Sequence, residues 1–159
     1  MGIKTIAISR SKAKRNRALE FGAQHAFAPE NAIEEISKFT EGLGSDFVVD
    51  TTGNPDAITQ ALKLVRPQGT IVYKNTCGLP ASGIDMTQLV VDEIILQGSR
   101  CGSFKPALEI IQTHQEKLKS LITSTRPLEE TQTALESASK EKKVILNYQI
   151  KVISAFKLT

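Results

Sequence analysis

Short apolar runs alternate with amphipathic stretches along the first hundred residues. Thr5-Ile6-Ala7-Ile8 is brief, apolar and partly β-branched, the pattern of a buried strand. Ser11 then stands as a helix N-cap, Lys12–Phe21 as a helix and Gly22 as its stop. Gln24 and His25 read as loop, and Ala26-Phe27-Ala28 as a second strand ending at Pro29. Asn31 is the expected cap of the next helix, whose apolar face carries Ile33, Ile36 and Phe39 and which Gly42 and Gly44 end. Phe47-Val48-Val49-Asp50 is another buried strand. Asn54-Pro55 predicts a helix start, because Asn accepts from orphan amides and Pro tolerates the first helical position. Ile58, Ala61, Leu62 and Val65 form that helix's buried stripe, and Pro67-Gln68-Gly69 turns the chain into Thr70-Ile71-Val72-Tyr73. Strands and helices alternating in this way predict an α/β fold, with a parallel sheet covered by helices on both faces.

The pattern is looser afterwards. Residues 75–88 read as irregular, and Glu93–Gly98 as a strand centred on Ile94, Ile95 and Leu96. Ser103 is the expected cap of a helix carrying Leu108, Ile111 and Leu118. Leu121-Ile122-Thr123 reads as a short extended piece, Pro127 as the opening of a helix with Leu128 and Leu135 on one face, and Val144-Ile145-Leu146 as a final strand. Tyr148–Thr159 shows weak alternation and reads as an added strand or a loose extension. These elements set the expected organisation: one domain over residues 1–147 and an extension over 148–159.

Composition narrows the class. The 159 residues are 40% hydrophobic and 23% charged, as in an ordinary globular chain. No apolar run approaches the roughly 20 residues that span a bilayer, so no membrane partner is expected. Twenty Lys and Arg against 17 Asp and Glu give a net charge of +3, too balanced to point to nucleic acid. Residues 1–20 are less even. Lys4, Arg10, Lys12, Lys14, Arg15 and Arg17 face Glu20 alone, which suits a single phosphate better than a long polyanion; a solvated helix face is the plainer alternative. Cys77, Cys101, His25 and His114 show no zinc-ligand spacing, and two distant cysteines fit a reducing, cytoplasmic setting.

Five stretches in order carry a resemblance. They are Ala18-Leu19-Glu20-Phe21-Gly22-Ala23, Val48-Val49-Asp50-Thr51-Thr52-Gly53-Asn54-Pro55, Ala61–Thr70, Glu93–Arg100, and Pro127-Leu128-Glu129-Glu130 running to Lys143-Val144-Ile145-Leu146. Together they resemble the nucleotide-binding half of a zinc-type medium-chain alcohol dehydrogenase, over nearly all of residues 1–147. The resemblance implies a Rossmann-like, doubly wound parallel sheet. It also implies that the matched stretches start at the family's second strand, so that the sheet is expected to be incomplete. The first strand, the G-x-G-x-x-G turn that holds the pyrophosphate and the catalytic domain that supplies the zinc ligands are expected to be missing. In the order 3-2-1-4-5-6 the first strand is central, so the strands at Thr5–Ile8 and Phe47–Asp50 are expected to carry open apolar edges. The tail at 148–159, a second polypeptide or direct pairing of the two strands would close them.

The resemblance also implies where a dinucleotide would lie. The end of the second family strand chooses between the two nicotinamide cofactors: an acidic residue there binds the ribose hydroxyls, a basic one the 2′-phosphate. Here it holds Ser9, Arg10 and Ser11, with Lys14 one turn on and no carboxylate before Glu20, an NADP-type pocket with NAD as the alternative. Capping by the two serines, with both cations in solvent, is the structural alternative. Thr52 and Gly53 correspond to the adenine-ribose end, and Asn75, Thr76, Ser99 and Arg100 to positions that face the nicotinamide and pyrophosphate; a glycine needed for the turn alone and an exposed surface arginine are the alternatives at Gly53 and Arg100. Asp50 closes a strand and reads as a turn or cap residue rather than an acid or base. No catalytic residue and no metal ligand is assigned within the chain.

Two functions follow as expectations. One is the nucleotide-binding part of an NAD(P)-dependent alcohol dehydrogenase-like oxidoreductase, inactive by itself and weak at best in dinucleotide binding. The other is a non-enzymatic interaction module or degenerate fragment, forming homo-oligomers or associating with an intact homologue.

Overall fold

The structure is a computed structural model that describes residues 2–74, 76, 78–137 and 144–147. The chain divides into two compact units, Met1–Cys101 and Gly102–Thr159.

The first unit runs β1 (Ile6–Ile8), α1 (Lys12–Glu20), β2 (His25–Phe27), α2 (Pro29–Phe39), β3 (Ser45–Asp50), α3 (Ala57–Leu64), β4 (Val65–Tyr73), α4 (Met86–Val91) and β5 (Ile95–Gly98). All described pairings are parallel: β1 with β2, and β4 between β3 and β5. Parallel neighbours need crossover helices, and this alternation supplies them. Among the described residues no strand joins β1 to β3.

The core follows from the register. Val48 lies beside Ile71 and Ile71 beside Leu96, so these three side chains share one face of the sheet. Ile71 is fully buried there against Ile58, Ala61 and Leu62 of α3, with Val48, Tyr73, Leu89 and Ile94 packed around them. The opposite face carries Phe47, Val49 and Ile95, each more than half exposed. A second cluster joins Ala32 and Ile36 of α2 to Leu64 of α3. Ile6 and Ile8 of β1 and Val48 of β3 rest on it, so the two unjoined strands share one apolar floor. Full burial of an Ile or Leu side chain, as at Ile36 and Leu64, contributes about 1.5–3 kcal/mol. Two neutral side chains also cross between helices: Gln60 donates to the Pro29 carbonyl at 3.1 Å, and Gln88 to the Leu62 carbonyl at 3.1 Å.

Several boundaries differ from the sequence reading. His25 belongs to β2, where its ring stacks on Phe39 at 4.1 Å between centroids, rather than to a loop. The second helix starts at Pro29, whose fixed φ suits the first turn, and Asn31 lies inside it. Only Ala32 and Ile36 of that helix are buried, and Ile33 and Phe39 stay partly exposed. Asn54 does not cap α3. Its Oδ1 accepts from the Asp56 amide in a local turn, and the helix begins at Ala57. Pro67–Gly69 is absorbed into β4, where the register jumps from Ser45–Val65 to Phe47–Thr70 and Gln68 takes φ 58°. Asp85 caps a short helix, α4, that the irregular composition of 75–88 concealed; its carboxylate accepts from the Thr87 and Gln88 amides.

The second unit contains α5 (Phe104–Thr113), α6 (Gln115–Lys119), β6 (Ser124–Pro127), a 3₁₀ turn (Leu128–Glu130), α7 (Thr131–Ser137) and β7 (Val144–Asn147). β6 and β7 pair in parallel. His114 separates α5 from α6, so the single helix expected over Leu108–Leu118 is two. The extended piece falls at Ser124–Pro127, three residues beyond Leu121. Leu128 begins a 3₁₀ turn, and α7 buries Ala134 while Leu135 is exposed. The extension Tyr148–Thr159 lies outside the described residues. Among those that are described, no helix is long and apolar enough to cross a membrane.

Candidate functional site

In parallel α/β sheets ligands bind beyond the carboxyl ends of the strands, where loops converge and helix N-termini point. The described residues that the resemblance assigns to a dinucleotide follow strand ends of this kind, whereas His25 lies within β2 and His114 between α5 and α6. Ser9, Arg10 and Ser11 follow β1, and Lys14 sits in the first turn of α1. Thr52 and Gly53 follow β3, Thr76 follows β4, and Ser99 and Arg100 follow β5. Asn75 and Cys77 lie outside the described residues.

The turn after β1 is tied by its own side chains. Ser11 is the N-cap of α1, and its Oγ accepts from the Lys14 amide at 3.4 Å. The Ser9 Oγ accepts from the Ser11 amide at 3.3 Å. The Ser9 amide donates to the Phe27 carbonyl at 3.0 Å and so holds the turn to β2. A serine oxygen that accepts a hydrogen bond keeps its own hydrogen to donate. Capping and ligand donation, set apart in the sequence as alternatives, are thus compatible here. Arg10 and Lys14 are exposed, and no acidic residue stands in the first turn of α1. The turn therefore offers hydroxyl donors, two cations and the positive end of a helix, a set that fits a phosphate.

Sequence reasoning missed Arg15. Its Nη1 donates to the carbonyl oxygens of Ser9 and Arg10, the latter at 2.9 Å. Its place in a run of cations was visible, but nothing in the spacing showed that it would fold back on the turn.

The turn after β3 is built on Asp50. This carboxylate is buried, and its Oδ1 accepts from both the amide and the hydroxyl of Thr52, each at 2.8 Å. The Thr52 Oγ1 in turn accepts from the Asn54 amide at 3.1 Å. Gly53 takes φ +71°, and a Cβ placed there would meet nothing within 4 Å. The backbone at this point is open to close approach.

Lys74 was also missed. Its Nζ reaches the Ser99 Oγ at 3.4 Å and the Arg100 carbonyl at 3.2 Å, while the Ser99 amide donates to the Tyr73 carbonyl at 2.8 Å. The ends of β4 and β5 are joined in this way. Among the described residues, no hydrogen bond links the Ser9–Lys14 group to the Thr52–Gly53 or Ser99–Arg100 groups. A shallow hollow lined by Leu43, Leu64 and Pro67 lies at the amino ends of β3 and β4, away from all of these residues. Among the described residues, no cluster of three His, Cys, Asp or Glu side chains is placed to hold a metal ion.

Residues 1–116 match the family model described as zinc-binding dehydrogenase. An L-threonine 3-dehydrogenase from Caldanaerobacter subterraneus subsp. tengcongensis is 34% identical, over 82% of this chain and 40% of its own length. The D-arabinose 1-dehydrogenase (NADP(+)) of Saccharolobus solfataricus is 29% identical, over 83% of this chain and 38% of its own. A crystal structure of an alcohol dehydrogenase from Thermotoga maritima superposes with a TM-score of 0.82 at 24% identity, covering 92% of this chain and 44% of that one. The Rossmann-like α/β fold is thereby shared, and the chain spans about two fifths of the length of these curated relatives. The order of the parallel strands, the superposition and the match over residues 1–116 agree: this chain belongs to the zinc-binding dehydrogenase family of alcohol dehydrogenase-like oxidoreductases.

Proposed function

We propose that the first unit holds the adenosine end of a nicotinamide dinucleotide, with NADP favoured over NAD. The observation that carries this reading is the turn after β1, where Ser9, Arg10, Ser11 and Lys14 offer donors and cations and no carboxylate. Thr52 and Gly53 would border the adenosine ribose, and Asn75, Thr76, Ser99 and Arg100 would face the nicotinamide and pyrophosphate. The bound dinucleotide supplies the hydride acceptor of an alcohol dehydrogenase-type oxidation. Residues of this chain bind and orient it, and none is assigned to the chemical step. On this reading the chain by itself turns over no alcohol, and its setting is the cytoplasm.

The deciding experiment uses 2′,5′-ADP, which carries the 2′-phosphate, and 5′-AMP, which carries a 2′-hydroxyl in its place. Titration calorimetry on the 159-residue chain is expected to show tighter binding of 2′,5′-ADP. A charge-assisted hydrogen bond contributes about 1.5–3 kcal/mol, so Arg10→Ala is expected to cost roughly tenfold or more for 2′,5′-ADP and little for 5′-AMP. Equal losses for both ligands would remove the NADP assignment.

A second reading, association with another polypeptide, is favoured by one specific observation. β1 and β3 rest on a common apolar floor, each is paired on one side only among the described residues, and Phe47 and Val49 are exposed on the opposite face of β3. An intact homologue or a second copy would be the partner.

A further inference from the structure

We propose that Arg15 sets the preference of the Ser9–Ser11 turn for phosphate over hydroxyl ligands, as a positioning residue that occupies the turn's carbonyl acceptors. The inference rests on reading this turn as the adenosine-end pocket. Three carbonyls and two hydroxyl oxygens are the acceptors that the turn contains. The Ser11 carbonyl accepts from the Arg15 amide at 3.0 Å. The Ser9 and Arg10 carbonyls accept from the Arg15 guanidinium. The two serine oxygens accept from the Ser11 and Lys14 amides. Each of the five oxygens therefore already accepts a hydrogen bond from within the chain, and Arg15 serves three of them.

What the turn presents to a ligand is correspondingly one-sided. Two hydroxyl hydrogens, the Arg10 guanidinium and the Lys14 ammonium are donors. A phosphate dianion offers only acceptors and matches them. A ribose 2′-hydroxyl donates best to a free acceptor, and here it would find only the second lone pair of oxygens that each already accept one hydrogen bond. Without the Arg15 side chain, the Ser9 and Arg10 carbonyls would lose these donors and leave their partial negative charge uncompensated within the turn. They would repel a phosphate and accept from a hydroxyl. Arg15 thus acts through the backbone, whereas Arg10 is expected to touch the ligand itself. One guanidinium nitrogen, Nη1, carries two hydrogens and serves both carbonyls.

The test compares the 2′,5′-ADP to 5′-AMP affinity ratio, by calorimetry, in the wild-type chain, Arg15→Leu and Arg15→Lys. Leu keeps helix propensity and removes the donors; Lys keeps charge and a donor. Arg15→Leu is expected to lower the ratio roughly tenfold, mainly by losing 2′,5′-ADP, and Arg15→Lys to restore part of it. Far-UV circular dichroism checks that α1 persists, and Arg15→Met serves where the Leu variant does not fold. A merely structural role would weaken both ligands alike, and that result overturns the inference, as does an unchanged ratio in Arg15→Leu. A wild-type chain that binds both ligands equally removes the NADP reading and this inference with it. A wild-type preference that survives Arg15→Leu overturns this inference alone.

Discussion

One oxygen of the Asp50 carboxylate accepts two hydrogen bonds from Thr52, one from its backbone amide and one from its side-chain hydroxyl, each 2.8 Å long. Both bonds lie where β3 ends, so a buried acid fixes the turn that carries Gly53. Asp50→Ala leaves the Thr52 donors without this acceptor and is expected to cost about 1–3 kcal/mol of stability. Asp50→Asn keeps an acceptor oxygen and should recover much of the loss. Urea unfolding of the three proteins checks the order; equal stability of wild type and Asp50→Ala would show that the turn holds without the carboxylate.

Gly44 and Gly53 both have positive φ, but only one is crowded. A Cβ on Gly44, at φ +92°, would come within 2.8 Å of the Arg66 amide nitrogen, and one on Gly53 would meet open space. Gly53→Ala is expected to cost about 1–2 kcal/mol from the backbone conformation alone. Gly44→Ala adds a backbone clash between the start of β3 and β4 and should cost clearly more. The two denaturation midpoints decide it, and equal shifts would rule out the clash.

Self-association is expected of the chain. Among the described residues β1 pairs only with β2 and β3 only with β4, above a shared apolar floor, and pairing is what such open edges favour. Sedimentation velocity should show dimers or larger species, and Val49→Lys, placing a charge on the exposed face of β3, should shift them toward monomer. A wild-type monomer with one cooperative thermal transition would mean that the sheet closes internally.

Ser9→Asp tests the same turn from the opposite sign of charge. A carboxylate there repels a 2′-phosphate and accepts from ribose hydroxyls. The preference should move from 2′,5′-ADP toward 5′-AMP, read as the ratio of dissociation constants. An unchanged ratio would place the 2′-substituent elsewhere.

The alternation of β1 through β5 was legible in the sequence because their cores are compact apolar runs. Ile6–Ile8, Phe47–Asp50, Ile71 with its neighbours, and Ile95–Leu96 fall inside the observed strands. The Ser11 cap was legible for a similar reason, since a serine before a helix has a local partner three residues on. Starts such as Ala57 were not, because Asn54 satisfies its side chain in a local turn instead of the helix. Which residue types follow the strand ends was readable from the order of the chain. The roles of Arg15 and Lys74 were not, since each long side chain had several reachable acceptors and only the folded backbone selected among them.

The helix layer of the first unit is stitched by amides. Gln60 ties α3 to the first residue of α2, and Gln88 ties α4 to the body of α3. An amide neither gains nor loses a proton between mild acid and mild alkali, and ions screen it far less than they screen a pair of charges. Exposed ion pairs such as Lys38–Glu34 weaken as ionic strength rises. The packing of α2, α3 and α4 on one another is consequently buffered against salt and acidity, while the exposed cations at the turn after β1 stay responsive to ionic strength.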